Sequence, residues 1–204
     1  MNRAFHSEHT GWRSRLYIPH FDQPDLIQLI TIRLYDAIPE GLVDKWKKEL
    51  NWVQKMSAND PRQITLRKRI DKYEDAGYGA CWLRDDQVAS IVEEALLHFD
   101  AKLYRIIAWC IMPNHVHILI EIWKDLSLDK ILHSWKSYTA HEANRVLHRS
   151  GAFWFREYHD RYVRNDRHLA DAVEYVENNP VKAGLIRKKE EWKWSSARLL
   201  DAAK

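Results

Sequence analysis

The chain has 204 residues, of which 46% are hydrophobic and 30% charged, with a net charge of +3. That balance is ordinary for a soluble folded protein with room for a sizeable core, and no apolar run approaches membrane-spanning length. The first fifteen residues are polar and basic, unlike a secretory signal, and Cys81 and Cys110 read as reduced, buried thiols, so a cytoplasmic location is expected.

The first element after the polar lead is an apolar, β-branched run from Leu26 to Leu34, in which Thr31 and Arg33 alternate with Ile30, Ile32 and Leu34. This pattern predicts a strand with one apolar face. Leu42 to Met56 reads as a charged amphipathic helix with Trp46, Leu50 and Val53 on one side, broken at Ser57–Pro61. Arg62 to Ala76 follows as a strongly basic helix, carrying Arg67 and Arg69 among its cations. After Gly77-Tyr78-Gly79, Asp85-Asp86 caps a helix running through His98 with core spacing at Val88, Ile91, Val92, Ala95 and Leu96.

Two strands are then expected, Tyr104 to Ile111 and His115 to Trp123, joined by a turn at Pro113-Asn114. Ser127 to Leu147 has the spacing of a long amphipathic helix. The next stretch interleaves Arg145, Arg149, Arg156, Arg161 and Arg164 with Phe153, Trp154, Phe155, Tyr158 and Tyr162, with room for a short strand pair. Arginine neutralises phosphate and aromatic faces stack unpaired bases, a combination suited to single-stranded nucleic acid. Asp166 starts the last clear helix, limited by Pro180, and Trp192-Lys193-Trp194-Ser195-Ser196 closes the chain. No repeat, low-complexity tract or linker interrupts residues 1–204, so one α+β domain with an antiparallel sheet packed with helices is expected.

The most informative stretch is Met112-Pro113-Asn114-His115-Val116-His117. On a strand, residues two apart share a face, so His115 and His117 project together while Val116 points away. Two same-facing imidazoles are half of a divalent-metal site. On the last helix Tyr175 and Asn179 are four apart and share a face, so an amide oxygen and a phenol are available one turn from each other.

An apolar strand into Met-Pro-Asn-His-Val-His-Ile-Leu, a long helix, an arginine-aromatic stretch and then Tyr-x-x-x-Asn-Pro-Val-Lys-Ala-Gly occur here in that order. This order resembles the single-tyrosine transposases of the His-hydrophobic-His (HUH) superfamily, and within them the REP-associated tyrosine transposase branch. The resemblance implies a ferredoxin-like endonuclease core; the sequence departs from it in the longer connection after the first strand, which reads as a helical insertion at about residues 40–80. The resemblance also implies His115 and His117 as metal ligands, Asn179 as a further ligand, and Tyr175 as the nucleophile. The implied cofactor is Mg²⁺ or Mn²⁺, and the implied partner is single-stranded or hairpin DNA of the REP type, bound by a nucleoid-associated monomer or homodimer. Cleavage and rejoining would pass through a covalent phosphotyrosine and a free 3′ hydroxyl. Arg145, Arg149, Arg156, Arg161, Arg164, Arg67 and Arg69 are the candidate DNA contacts.

Three competing readings remain open at this point. Tyr138, with Glu142 four residues later, is a rival nucleophile. A zinc hydrolase would draw a further ligand from Glu121 or Cys110. A non-catalytic hairpin DNA- or RNA-binding protein descended from a transposase would bind without cutting.

Overall fold

The computed structural model describes residues 11–15, 18–22, 26–53, 56, 60–123 and 126–200. Its centre is a four-stranded antiparallel sheet in the order β4-β5-β3-β6, where β3 is Ile27–Arg33, β4 Tyr104–Ile111, β5 His115–Ile122 and β6 His159–Tyr162. A separate hairpin, β1 (Gly11–Arg15) with β2 (Ile18–Asp22), precedes it. The polar lead gave no sign of that hairpin, because its strands lack an apolar run. The arginine-aromatic stretch supplies one strand rather than a pair: β6 joins the sheet through β3, with Thr31 opposite His159.

The two central strands place unlike residues on the two faces of the sheet. Ile30, Ile32, Val116, Ile118 and Ile120 point to one side, where they pack with α3 (Asp86–Leu97) and α4 (Leu128–Val146) in the main core. Leu119, Ala108, Cys110 and Met112 point to the other, against Ala172 and Val176 of α5 (Asp166–Glu177). This second face also carries Thr31, Arg33, His115 and His117, since Thr31 lies opposite His117 and Arg33 opposite His115. The α+β arrangement expected from the alternation of strands and helices is therefore present, with the histidines on the α5 side.

Between β3 and α3 lie α1 (Leu42–Glu49) and α2 (Pro61–Asp75). The first is shorter than its amphipathic pattern suggests. Asn51 adopts a left-handed conformation (φ 50°), and the Trp52 and Asn51 amides bond back to the carbonyls of Lys47 and Lys48, closing the helix with a Schellman motif. The second starts where expected: Asp60 accepts from the Arg62 amide and Pro61 occupies the first turn, where its missing N–H costs nothing.

The last long helix also ends earlier than its sequence pattern, at Glu177, and Asn179–Lys182 forms a separate short turn, α6, with Pro180 in its opening turn. The tail then covers the free edge of β4. Ile111 donates to the Trp194 carbonyl, the Trp192 indole donates to the Ile111 carbonyl at 2.9 Å, and the Trp109 amide donates to Ser196. An edge strand with its ladder groups occupied in this way is protected from pairing with another chain.

Candidate active site

His115 and His117 are buried, at 0% and 1% exposure, and their Nε2 atoms face each other at 3.0 Å. Each ring is held from behind. The Asn114 amide nitrogen donates to the Tyr78 carbonyl at 2.9 Å, which turns its oxygen toward His115 Nδ1 at 2.7 Å. An oxygen there requires a proton on Nδ1, so the lone pair of His115 lies on Nε2. His117 Nδ1 sits 2.9 Å from the Thr31 hydroxyl. Both rings thus turn Nε2 toward one point, where the two nitrogens hydrogen-bond each other, and each has its other nitrogen engaged, as ligating histidines usually do.

Burial holds both imidazoles well below their ordinary range, His115 to about 3, with Lys182 and Arg33 lowering it further and with His115 and Lys182 adding to the effect on His117. At neutral pH the pair is uncharged, the form that binds a cation.

The third member is Asp75, at the end of α2. Its Oδ1 lies 4.0 Å from His115 Nε2, is buried and has no hydrogen-bond partner, while its Oδ2 pairs with Lys182 Nζ at 2.7 Å. Asp75, His115 and His117 form a group with ligand atoms close enough to share one ion. Asn179, completely buried, leaves both amide atoms without a hydrogen-bond partner among the described residues. Buried polar groups are rarely left so, and an orphaned oxygen on Asp75 beside two neutral imidazoles suits a divalent cation that accepts mixed N and O donors.

Tyr175 closes the group. Its ring meets His117 edge-on at 5.3 Å between centroids, and Lys182 Nζ lies 5.5 Å from its centre. Burial pushes its phenol up from the ordinary value, and the carboxylates of Asp71, Asp75 and Glu74 push it further. Asp71 and Glu74 are themselves raised by burial, to about 6 and about 7. For Glu74 the Arg33 guanidinium, 3.4 Å away, acts against that rise. The phenol of the metal-free site is accordingly protonated, and positive charge must be added to ionise it.

The rivals fall elsewhere. Tyr138 is 54% exposed on α4, the helix that covers the opposite face of the sheet, and Glu142 pairs with Arg145 at 2.7 Å. Glu121 pairs with Arg105 at 2.9 Å, and Cys110 is packed beside Met112 with its thiol pushed far up by burial. Neither joins the His pair.

The candidate DNA contacts divide by their partners. Arg149 stacks 3.8 Å over the Trp82 ring and bonds Asn144 and Ala152, a packing role. Arg145 and Arg69 are paired with Glu142 and Glu49. Arg156, Arg161 and Arg164 are exposed, and Arg67, half-buried, bonds Gln63.

Four residues at the site were not singled out from the sequence: Asp75, Lys182, Thr31 and Asn114. Lys182 sits in the Asn-Pro-Val-Lys motif, and Asn114 precedes the first histidine. Asp71, Glu74 and Asp75 formed an acidic stripe at helical spacing within a helix otherwise read as basic, and that stripe was the available signal.

The family described as "Transposase IS200 like" matches residues 82–179, a stretch that holds the His pair, Tyr175 and Asn179 but not Asp75. A Haemophilus influenzae protein classed by name with the REP-associated tyrosine transposases is 27% identical over 103 residues, covering 46% of this chain and 58% of that protein, so the match spans less than two thirds of the relative. Among solved structures, a REP-associated tyrosine transposase bound to a REP hairpin superimposes with a TM-score of 0.54 over 94% of this chain and 85% of that one, at 16% identity, a likeness of fold. Residues 82–179 of the chain are thus similar to the IS200-like transposases, and both the Haemophilus influenzae relative and the structural neighbour carry the name of the REP-associated branch.

Proposed function

We propose that this protein is a metal-dependent transposase that cuts and rejoins single-stranded DNA at REP-like hairpins, with Tyr175 as nucleophile. The observation that carries this reading is the convergence of two imidazole nitrogens and one orphaned Asp75 oxygen, with the Tyr175 ring packed against His117. His115, His117, Asp75 and Asn179 would hold Mg²⁺ or Mn²⁺, which when bound supplies the charge that polarises a phosphate oxygen.

Tyr175 does the bond-making. Its phenolate oxygen attacks the scissile phosphorus, the P–O3′ bond breaks, the phenolic proton leaves to solvent and the 3′ oxygen takes up a proton. The phosphodiester energy is kept in the phosphotyrosine, so a 3′ hydroxyl can reverse the step on the same or another strand. Lys182 stands beside the ring with its charge opposing the three carboxylates, and its bond to Asp75 keeps that side chain turned toward the histidines. Thr31 and Asn114 fix ring orientation. The described residues contain no helix long and apolar enough to cross a membrane.

The direct test is incubation of the protein with a panel of single-stranded hairpins and Mn²⁺, followed by a denaturing gel. A protein–DNA band that survives denaturation and disappears with chelator is expected. Hairpin binding with no such band under any cation would leave a non-catalytic binder. A smaller effect is expected behind the metal: Thr31→Val removes the hydroxyl that orients His117 and should weaken Mn²⁺ binding about 10–100-fold. Titration of Mn²⁺ with unchanged affinity in that variant would remove Thr31 from the site.

A further inference from the structure

The helices between β3 and α3 do more than deliver Asp75. They roof a cavity of about 560 Å³ whose floor is Thr31 and Arg33 of β3 and His159, and whose walls include Tyr35, Trp52 and Phe155. This space adjoins the site directly. Thr31 holds His117, Arg33 lies opposite His115, and Glu74, also on the wall, is next to Asp75 in the chain. Most of its lining falls outside residues 82–179, the stretch matched by the family.

We propose that this cavity takes one unpaired nucleobase of the bound strand, beside the scissile phosphate, and prefers a base with an exocyclic amino group. The inference rests on the transposase reading for the strand's position and goes beyond it in assigning a base-binding site to the cavity.

Three features of the cavity support a base as occupant. Its walls are aromatic: the Phe155 ring already carries the Arg33 guanidinium at 4.1 Å, and Tyr35 is 52% exposed, so a flat ring has faces to stack on. Among its charged groups carboxylates outnumber cations: Asp36, Glu40, Asp44, Asp71, Glu74 and Glu157 line it against Arg33, Lys47 and Arg67, and Asp36 Oδ1 is buried without a hydrogen-bond partner. Carboxylates accept from the amino groups of adenine, cytosine and guanine, whereas thymine has no amino group to offer. Finally, the phosphate side is provided for. Arg67 lines the cavity, within electrostatic reach of Arg161 and of Asp71 and Asp160, and offers a guanidinium to a backbone phosphate.

The test needs no cleavage. Binding of a fluorescently labelled dT12 strand is measured in EDTA on the full chain, against dT12 with one central dA or dC. The substituted strands are expected to bind about tenfold tighter, the scale of one stacked and hydrogen-bonded base. Glu40→Ala and Asp44→Ala, at exposed acceptor positions of the lining, are expected to bring that ratio below about threefold when combined, whereas Tyr35→Ala removes a stacking face open to any base and is expected to weaken all strands, dT12 included, about threefold or more. Equal affinity for all strands, a preference that the carboxylate variant retains, or no binding of any strand overturns the proposal. Because no covalent step is read, loss of the base preference and loss of the phosphotyrosine band fail separately.

Discussion

Tyr175→Phe is expected to abolish the covalent protein–DNA band while hairpin affinity stays within about twofold of the parent. The substitution removes one oxygen from a ring that packs edge-on against His117 and leaves the packing of α5 intact. Loss of an attacking oxygen typically costs a thousand-fold or more in rate, because neighbouring groups cannot replace a missing bond-forming atom. Tyr138→Phe serves as the internal comparison. That side chain lies on the other side of the sheet, so its variant should form the band at the parental rate. A Tyr175→Phe protein that still forms the adduct would place the nucleophile elsewhere in the chain.

The second large effect is a metal-linked rise in thermal stability. A ligand that binds only the folded state at a hundred times its dissociation constant adds about 2.7 kcal/mol, which for a chain of this size is a rise in Tm of about 5–10 °C. Saturating Mn²⁺ should produce such a shift in the parent. His117→Ala should abolish it, since a single imidazole and two weak oxygen donors make a poor site. Asp75→Ala should cut the apparent affinity about a hundred-fold and reduce the shift accordingly. The quantity compared is the shift on adding metal, so a lower starting Tm in either variant does not affect the outcome. If His117→Ala removes the shift and Asp75→Ala leaves it whole, Asp75 is a partner of Lys182 only. If neither variant changes the shift, Mn²⁺ binds elsewhere.

These two experiments probe halves of the site that differ in how they are encoded. The His pair was legible because strand periodicity fixes which side chains share a face over two residues; Tyr175 and Asn179 were legible only as one motif, since α5 ends at Glu177 and Asn179 opens α6 instead of continuing the same helix face. The strands β4 and β5 and the helices α2 to α4 were legible for the same reason, together with capping residues such as Asp85 and Ser127. Less legible were features set by backbone geometry at single positions. Asn51 ends α1 well before its apolar pattern runs out, and β6 joins the sheet with only four residues and no apolar alternation.

Periodicity relates residues within one element, so the sequence by itself determined the element types, the shared faces and the chemistry of the motif. It could not relate α2 to β5, which lie forty residues apart in the chain and meet only when both pack beside the same face of the sheet. That packing decided that Asp75, from an acidic stripe on a basic helix, comes beside the two histidines, and that Lys182 bonds Asp75. It also decided that Tyr138 lies across the sheet from the histidines. The physical reason is burial. Asp75 stands out as a candidate ligand because the folded chain buries its Oδ1 without supplying a hydrogen bond, a property no local sequence pattern expresses.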